Sequence, residues 1–172
     1  MLILVALILL SYSNLAISVC PSGSYSVPSI FGSNYNCVTV SNTTISFLSA
    51  EEACNDQNGH LFPIPNGYVN KFIADLISAA GYPYYWIGMS NIMGGVWKSM
   101  YDGSDITYTN WAPGQPGNSI YPLCAYILPD GSWISSRCSI DINFNLCGIP
   151  DSGGMVSEEP PNVPQVKTKE TH

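Results

Sequence analysis

The sequence predicts an α+β domain. Three observations lead there: two helical segments in the first half, a later series of short β-favouring runs, and six cysteines that all follow an N-terminal apolar leader. Helices first and strands after is an α+β order, and the cysteines supply staples for a loop-rich chain.

The leader comes first. Leu2 to Leu10 is an unbroken apolar run, followed by small and polar residues and the small-x-small pattern Ala16-Ile17-Ser18. Residues 1–18 therefore read as a removed signal peptide. A run of nine apolar residues falls short of the roughly 20 needed to cross a bilayer, and no later segment is a candidate span. The expected location is secreted and extracellular. Residues 19–150 form the domain. Residues 151–172 turn polar, with Gly153-Gly154 and Glu158-Glu159-Pro160-Pro161, and have too little to bury, so they predict a disordered C-terminal tail.

Compartment makes sense of the cysteines. Cys20, Cys37, Cys54, Cys124, Cys138 and Cys147 are an even set in a secreted chain, which implies disulfides whose pairing arithmetic alone leaves open. Zinc is disfavoured, because no C-x-x-C pair exists and the only histidines are His60 and His172. Asn42-Thr43-Thr44 is a sequon that secretion makes available for glycosylation at Asn42. The net charge of −7, with only Lys71, Lys98 and Arg137 basic inside the domain, excludes nucleic acid and anionic membranes as partners.

Ser49-Ala50-Glu51-Glu52 has the form of a capping box, predicting a helix through Cys54 that stops near Gly59. A second helix starts after Asn66-Gly67. Its buried stripe is Val69, Phe72, Ile73, Leu76, Ile77 and Ala80, and Gly81 ends it. Strands follow at 84–89, 123–128, 132–136 and 144–149, with Pro129-Asp130-Gly131 turning a hairpin between the middle two. Residues 90–121 are rich in Gly, Asn, Ser, Asp and Pro without periodicity. A loop that long inside a compact domain is usually functional.

The order of motifs then carries a resemblance. Cys54 in a first helix is followed by Trp86-Ile87-Gly88-Met89, Tyr101-Asp102-Gly103-Ser104, and Trp111 with Gln115-Pro116. The series closes with Cys124, Gly131-Ser132-Trp133, Cys138 and Cys147. From Cys20 to Ile149 the chain resembles a C-type lectin-like domain of the long form, with an N-terminal hairpin. The resemblance implies two helices with small antiparallel sheets, a long irregular ligand loop and three disulfides: Cys20–Cys37, Cys54–Cys147 and Cys124–Cys138. It also implies a cis Gln115–Pro116 bond.

In sugar-binding members, five side chains hold the principal Ca²⁺. Two flank the loop proline, one acid precedes the next cysteine by two residues, and an Asn-Asp pair follows the hairpin tryptophan. Here those positions carry Gln115, Gly117, Pro122, Ile134 and Ser135. Only Gln115 matches; Ser135 adds a neutral hydroxyl, and Asn118 is the nearest substitute for the side chain Gly117 lacks. Ca²⁺ affinity depends on charged oxygen ligands, so the resemblance implies that this site is lost and that no cofactor is held. Asp102, Asp105 and Asp130 read as solvated turn residues.

Binding without the metal would fall to Gln115, Asn118 and Ser135 with the exposed tyrosines Tyr101, Tyr108 and Tyr121, since aromatics beside amides suit sugar rings and protein interfaces alike. Trp86 and Trp133 are expected in the core. Catalysis is disfavoured. His60 is the only histidine in the domain, at a helix end where capping or solvent explains it, and Glu51 and Glu52 are adjacent and cannot face each other. The expected function is glycan recognition without the usual calcium. The alternative is a calcium-independent module for an extracellular protein, in surface recognition or host defence.

Overall fold

The structure is a computed structural model whose described residues are 20–150. The leader at 1–18 and the tail at 151–172 lie outside them. Strands β1 (Ser24–Ser26), β2 (Cys37–Val40), β3 (Ile45–Ser46), β4 (His60–Leu61), β5 (Tyr85–Ser90), β6 (Lys98–Ser99), β7 (Leu123–Ile127), β8 (Trp133–Arg137) and β9 (Ile142–Ile149) surround helices α1 (Phe47–Asn55) and α2 (Gly67–Ala80).

The main path across the sheet is β1-β2-β9-β5-β7-β8, with β3 and β4 beside β9 and β6 beside β5. The pairs are antiparallel except β5 with β9, where Tyr85↔Phe144 and Trp86↔Asn145 run parallel. That pairing joins what the resemblance implied as separate small sheets.

Helix α2 forms as its sequence dictates. The Asn66 side chain accepts from the amides of Tyr68 and Val69, and Gly81 closes the helix at φ 80°, a left-handed value that favours glycine. Val69, Ile73 and Ile77 are fully buried, Phe72 and Leu76 pack at the margin, and Ala80 is exposed, one position past the stripe.

Helix α1 departs from its expectation at both ends. Its N-cap is Ser46, whose hydroxyl accepts from the Ser49 amide, so Ser49 sits inside the first turn rather than before it. The chain leaves β3 at Ser46, which is paired with Ile142 on β9, and this fixes where the helix can begin. The helix ends at Asn55, and the left-handed position beyond it belongs to Asn58 (φ 58°), not Gly59. Gly59 is needed for space: a Cβ there would lie 2.0 Å from the Gly148 carbonyl oxygen on β9.

Two apolar clusters make the core. One packs α2 on the sheet around Trp133, Tyr85 and Leu146. The other surrounds Trp86 with Phe47, Ala50, Leu61 and both cysteines of Cys54–Cys147 and Cys124–Cys138. Trp86 meets Phe47 edge-on at 5.5 Å and donates its indole N–H to the Ile45 carbonyl at 3.0 Å. The three disulfides pair as the resemblance implied: Cys20–Cys37, Cys54–Cys147 and Cys124–Cys138.

Candidate functional site

Between β5 and β7 the chain makes its long excursion, with only the two-residue β6 as regular structure. Its second half is tied to β8. Trp111 bridges Trp133, the Ala112 amide donates to the Trp133 carbonyl at 2.9 Å, and the Trp133 amide donates to Asn110 at 2.8 Å. Beneath lies a buried polar link that sequence reasoning missed. Asn70 on α2 accepts from the Trp133 indole N–H at 2.7 Å and donates to the Gly131 carbonyl at 3.0 Å. The signal was present: Asn70 stands on the same face as Ile73, Ala74 and Ile77, and a polar residue on a buried face needs a partner. Asn70→Ala leaves the Trp133 indole unpaired in the core. It should cost about 2–3 kcal/mol in urea unfolding; a loss under about 0.5 kcal/mol, the range of an ordinary surface substitution, would count against this link.

The Gln115–Pro116 bond is cis, as implied. The Gln115 amide oxygen accepts from the Ser135 hydroxyl at 2.7 Å, the Ser135 amide at 3.0 Å and the Gly117 amide at 3.2 Å. Gly117 also donates to the Ser135 hydroxyl at 2.8 Å. Loop and hairpin thus bind each other through the oxygens that the resemblance assigned to a metal. Pro122 and Ile134 offer no side-chain donor, and Asn118 is exposed and joins neither partner. One amide and one hydroxyl, both already engaged, do not fit a hard dication that wants six to eight oxygens. Among the described residues, no group of three or more His, Cys, Asp or Glu side chains gathers where a metal could sit.

The candidate tyrosines do not share one site. Tyr121 is exposed beside the loop. Tyr108 packs edge-on to Trp133 at 5.6 Å, and burial raises its pKa. Tyr101 lies apart, edge-on to Tyr35 at 5.3 Å and to His60 at 6.0 Å. Burial, with Tyr101 and Glu51 nearby, pushes the Tyr35 phenol up to about 12.

His60 corrects its reading as a capping or solvated residue. It belongs to β4 and its Nδ1 meets Glu51 Oε1 at 2.5 Å, while Glu51 Oε2 accepts the Leu61 amide at 2.8 Å. Glu51 is buried and Glu52 exposed, so the two do point apart. Asp102 and Asp130 are turn residues as expected: each accepts from the hydroxyl and amide of the serine two residues on, Ser104 and Ser132. Those bonds hold both carboxyls below the usual range. Asp105 instead pairs with Lys98 at 2.6 Å.

Residues 43–148 match the family model of the lectin C-type domain. The chain belongs to the C-type lectin domain family. Human C-type lectin domain family 10 member A is 32% identical over 111 residues, 60% of this chain and 34% of that protein. A perlucin-like protein of Mytilus galloprovincialis is 27% identical over 117 residues, 65% of this chain and 75% of that one. The match thus spans about a third of the human relative's length and three quarters of the mussel protein's. Among solved structures, the mouse scavenger receptor C-type lectin carbohydrate-recognition domain superposes with a TM-score of 0.63 at 28% identity. It covers 74% of this chain and 94% of that domain. This lectin domain has no helix among its described residues long and apolar enough to cross a membrane.

Proposed function

We propose that this lectin domain is a secreted, non-enzymatic binding protein that recognises glycans without the family's principal Ca²⁺ site. The carrying observation is the closed contact between Gln115, Gly117 and Ser135, in which the one retained ligand oxygen already has three protein donors. A loop held by its own hairpin keeps its shape without a metal. Support for a glycan comes from the family and from the mouse neighbour, which is a carbohydrate-recognition domain by name. Secretion rests on the leader at 1–18, the paired cysteines and the exposed sequon at Asn42, which is taken to carry a glycan.

A second reading is favoured by a specific surface. Ile120 is 93% exposed and Met93 74% exposed. Their segments are brought side by side by Asn91, whose side chain accepts the Leu123 amide at 2.6 Å. Apolar side chains on that scale beside a binding loop suit an extracellular protein partner.

A glycan array run with calcium and again with chelator separates the readings. Binding in both supports the proposal, binding only with calcium overturns its metal-free part, and silence in both favours the protein partner. Titration calorimetry of the oxidised domain should show no Ca²⁺ heat near millimolar; a micromolar isotherm would refute the closed-site argument.

A further inference from the structure

A pocket of about 270 Å³ lies away from the Gln115–Ser135 contact, where residues 99–108 pass over β5 and the Pro63-Ile64-Pro65 link. Its floor is apolar and already fixed in the core: Ile64 is 9% exposed, Ile87 1% and Met89 3%, with Ile106 on the side. The rim is made of oxygen. Asp102, Asp105, Ser99, Ser104 and Thr107 line it, and no basic side chain does.

We propose that this pocket is a second binding site, for a small organic cation: an ammonium or guanidinium head carried on an unbranched apolar stem. The stem would lie on Pro63, Pro65 and Ile106, the partly exposed apolar residues of the lining, above the buried Ile64, Ile87 and Met89, and the head would meet the Asp102 carboxylate. Such a floor with a few convergent polar groups is the ordinary build of a small-molecule pocket, and its size limits the ligand to a side-chain-sized molecule.

Charge selects the head group. Lys98 holds one oxygen of Asp105 at 2.6 Å, so that pair is close to neutral and Asp102 supplies the net negative charge. The Ser104 hydroxyl and amide keep Asp102 ionised. Across the whole sequence the net charge is −7, which favours approach of cations and opposes anions. A neutral saccharide finds one aromatic ring on the lining, Tyr108, and it already packs on Trp133.

The walls are preformed. The Gly88 amide donates to Phe62 at 2.9 Å and the Met100 amide donates to Gly88 at 2.9 Å, so β5 is clamped between the two segments that form the sides.

The test uses three probes with one stem: hexylammonium, hexanol and hexanoate, titrated into the oxidised domain by NMR. The signals of Ile106 and of Ile64 beneath it should shift with hexylammonium at about fivefold lower concentration than with hexanol, and not with hexanoate, the preference fading in high salt. Asp102→Asn keeps the turn and should bring hexylammonium and hexanol to equal affinity. Equal affinities in the unsubstituted domain, a preference that survives Asp102→Asn, or shifts with hexanoate would each overturn the proposal. Gln115→Ala should leave these titrations unchanged. A failure here therefore stands apart from a failure of the glycan reading.

Discussion

Gly88→Ala should prevent the domain from accumulating in folded form. A Cβ on Gly88 would lie 2.1 Å from the Leu61 carbonyl oxygen and 2.9 Å from its carbon, both main-chain atoms. Leu61 cannot retreat. It pairs with Cys147 on β9 and its amide is held by Glu51, while Phe62 next to it donates to Leu146 at 2.8 Å and accepts from Gly88 at 2.9 Å. Relief would require breaking two or more of these bonds and moving Leu61 out of the Trp86 cluster. Overpacking and lost buried hydrogen bonds together come to about 4 kcal/mol or more, comparable with the whole stability of a small domain. The matched control is Gly117→Ala, whose new Cβ would meet nothing closer than the Ser135 hydroxyl at 3.6 Å. Secretion yield and urea unfolding of the two variants decide the matter. A Gly88→Ala protein with an unshifted unfolding midpoint would show that β4 and β5 are not in this contact.

Removing Cys54–Cys147 as the double variant Cys54→Ala/Cys147→Ala should be the most damaging disulfide loss of the three. Its cysteines are 93 residues apart, against 17 for Cys20–Cys37 and 14 for Cys124–Cys138. The chain-entropy model assigns about 4–5 kcal/mol to a closure that long and about 3 kcal/mol to the short ones. Packing does not separate the two larger candidates, since Cys124 and Cys138 are buried in the same Trp86 cluster as Cys54 and Cys147 and either pair would leave a void there, so the ordering rests on loop length. Urea unfolding of the two double variants, run without reductant, should place Cys124→Ala/Cys138→Ala at the higher midpoint. If the long-loop variant were intact where the hairpin variant is not, the proposed ordering would fail.

Helix α2 was legible because everything that makes it is local: a capping Asn66, one apolar face, and Gly81 at the end. Helix α1 was less so. Its sequence offers Ser46 and Ser49 as caps, and the S-x-x-E pattern points to the second. The choice of Ser46 is made by β3 pairing with β9, a contact across nearly a hundred residues. The same holds for His60, whose partner Glu51 becomes visible only when β4 turns back along α1.

At the site, motif order located Gln115, Ser135 and the cis bond. It did not show that the two side chains bind each other, nor that Tyr101 lies against His60 rather than beside the loop. A stretch of some thirty residues without periodicity gives no register from which such neighbours can be read. Gly59 and Gly148 make a related case. Gly59 reads from sequence as a helix stop and Gly148 as one position within a strand, yet each is small because another residue approaches: a Cβ on Gly148 would lie 2.3 Å from the Tyr35 ring.

The strand order has one more consequence. Cys20 is bonded to Cys37, and Cys37 is the register partner of Ile149, so the first and last described residues leave from neighbouring points on one side of the sheet. The Trp111–Asn118 loop rests on β8, at the far edge. A carrier, label or solid support attached through either end therefore leaves that loop facing outward. Several copies on one carrier can engage a repetitive surface together, where weak single contacts add up to tight attachment through effective concentration alone.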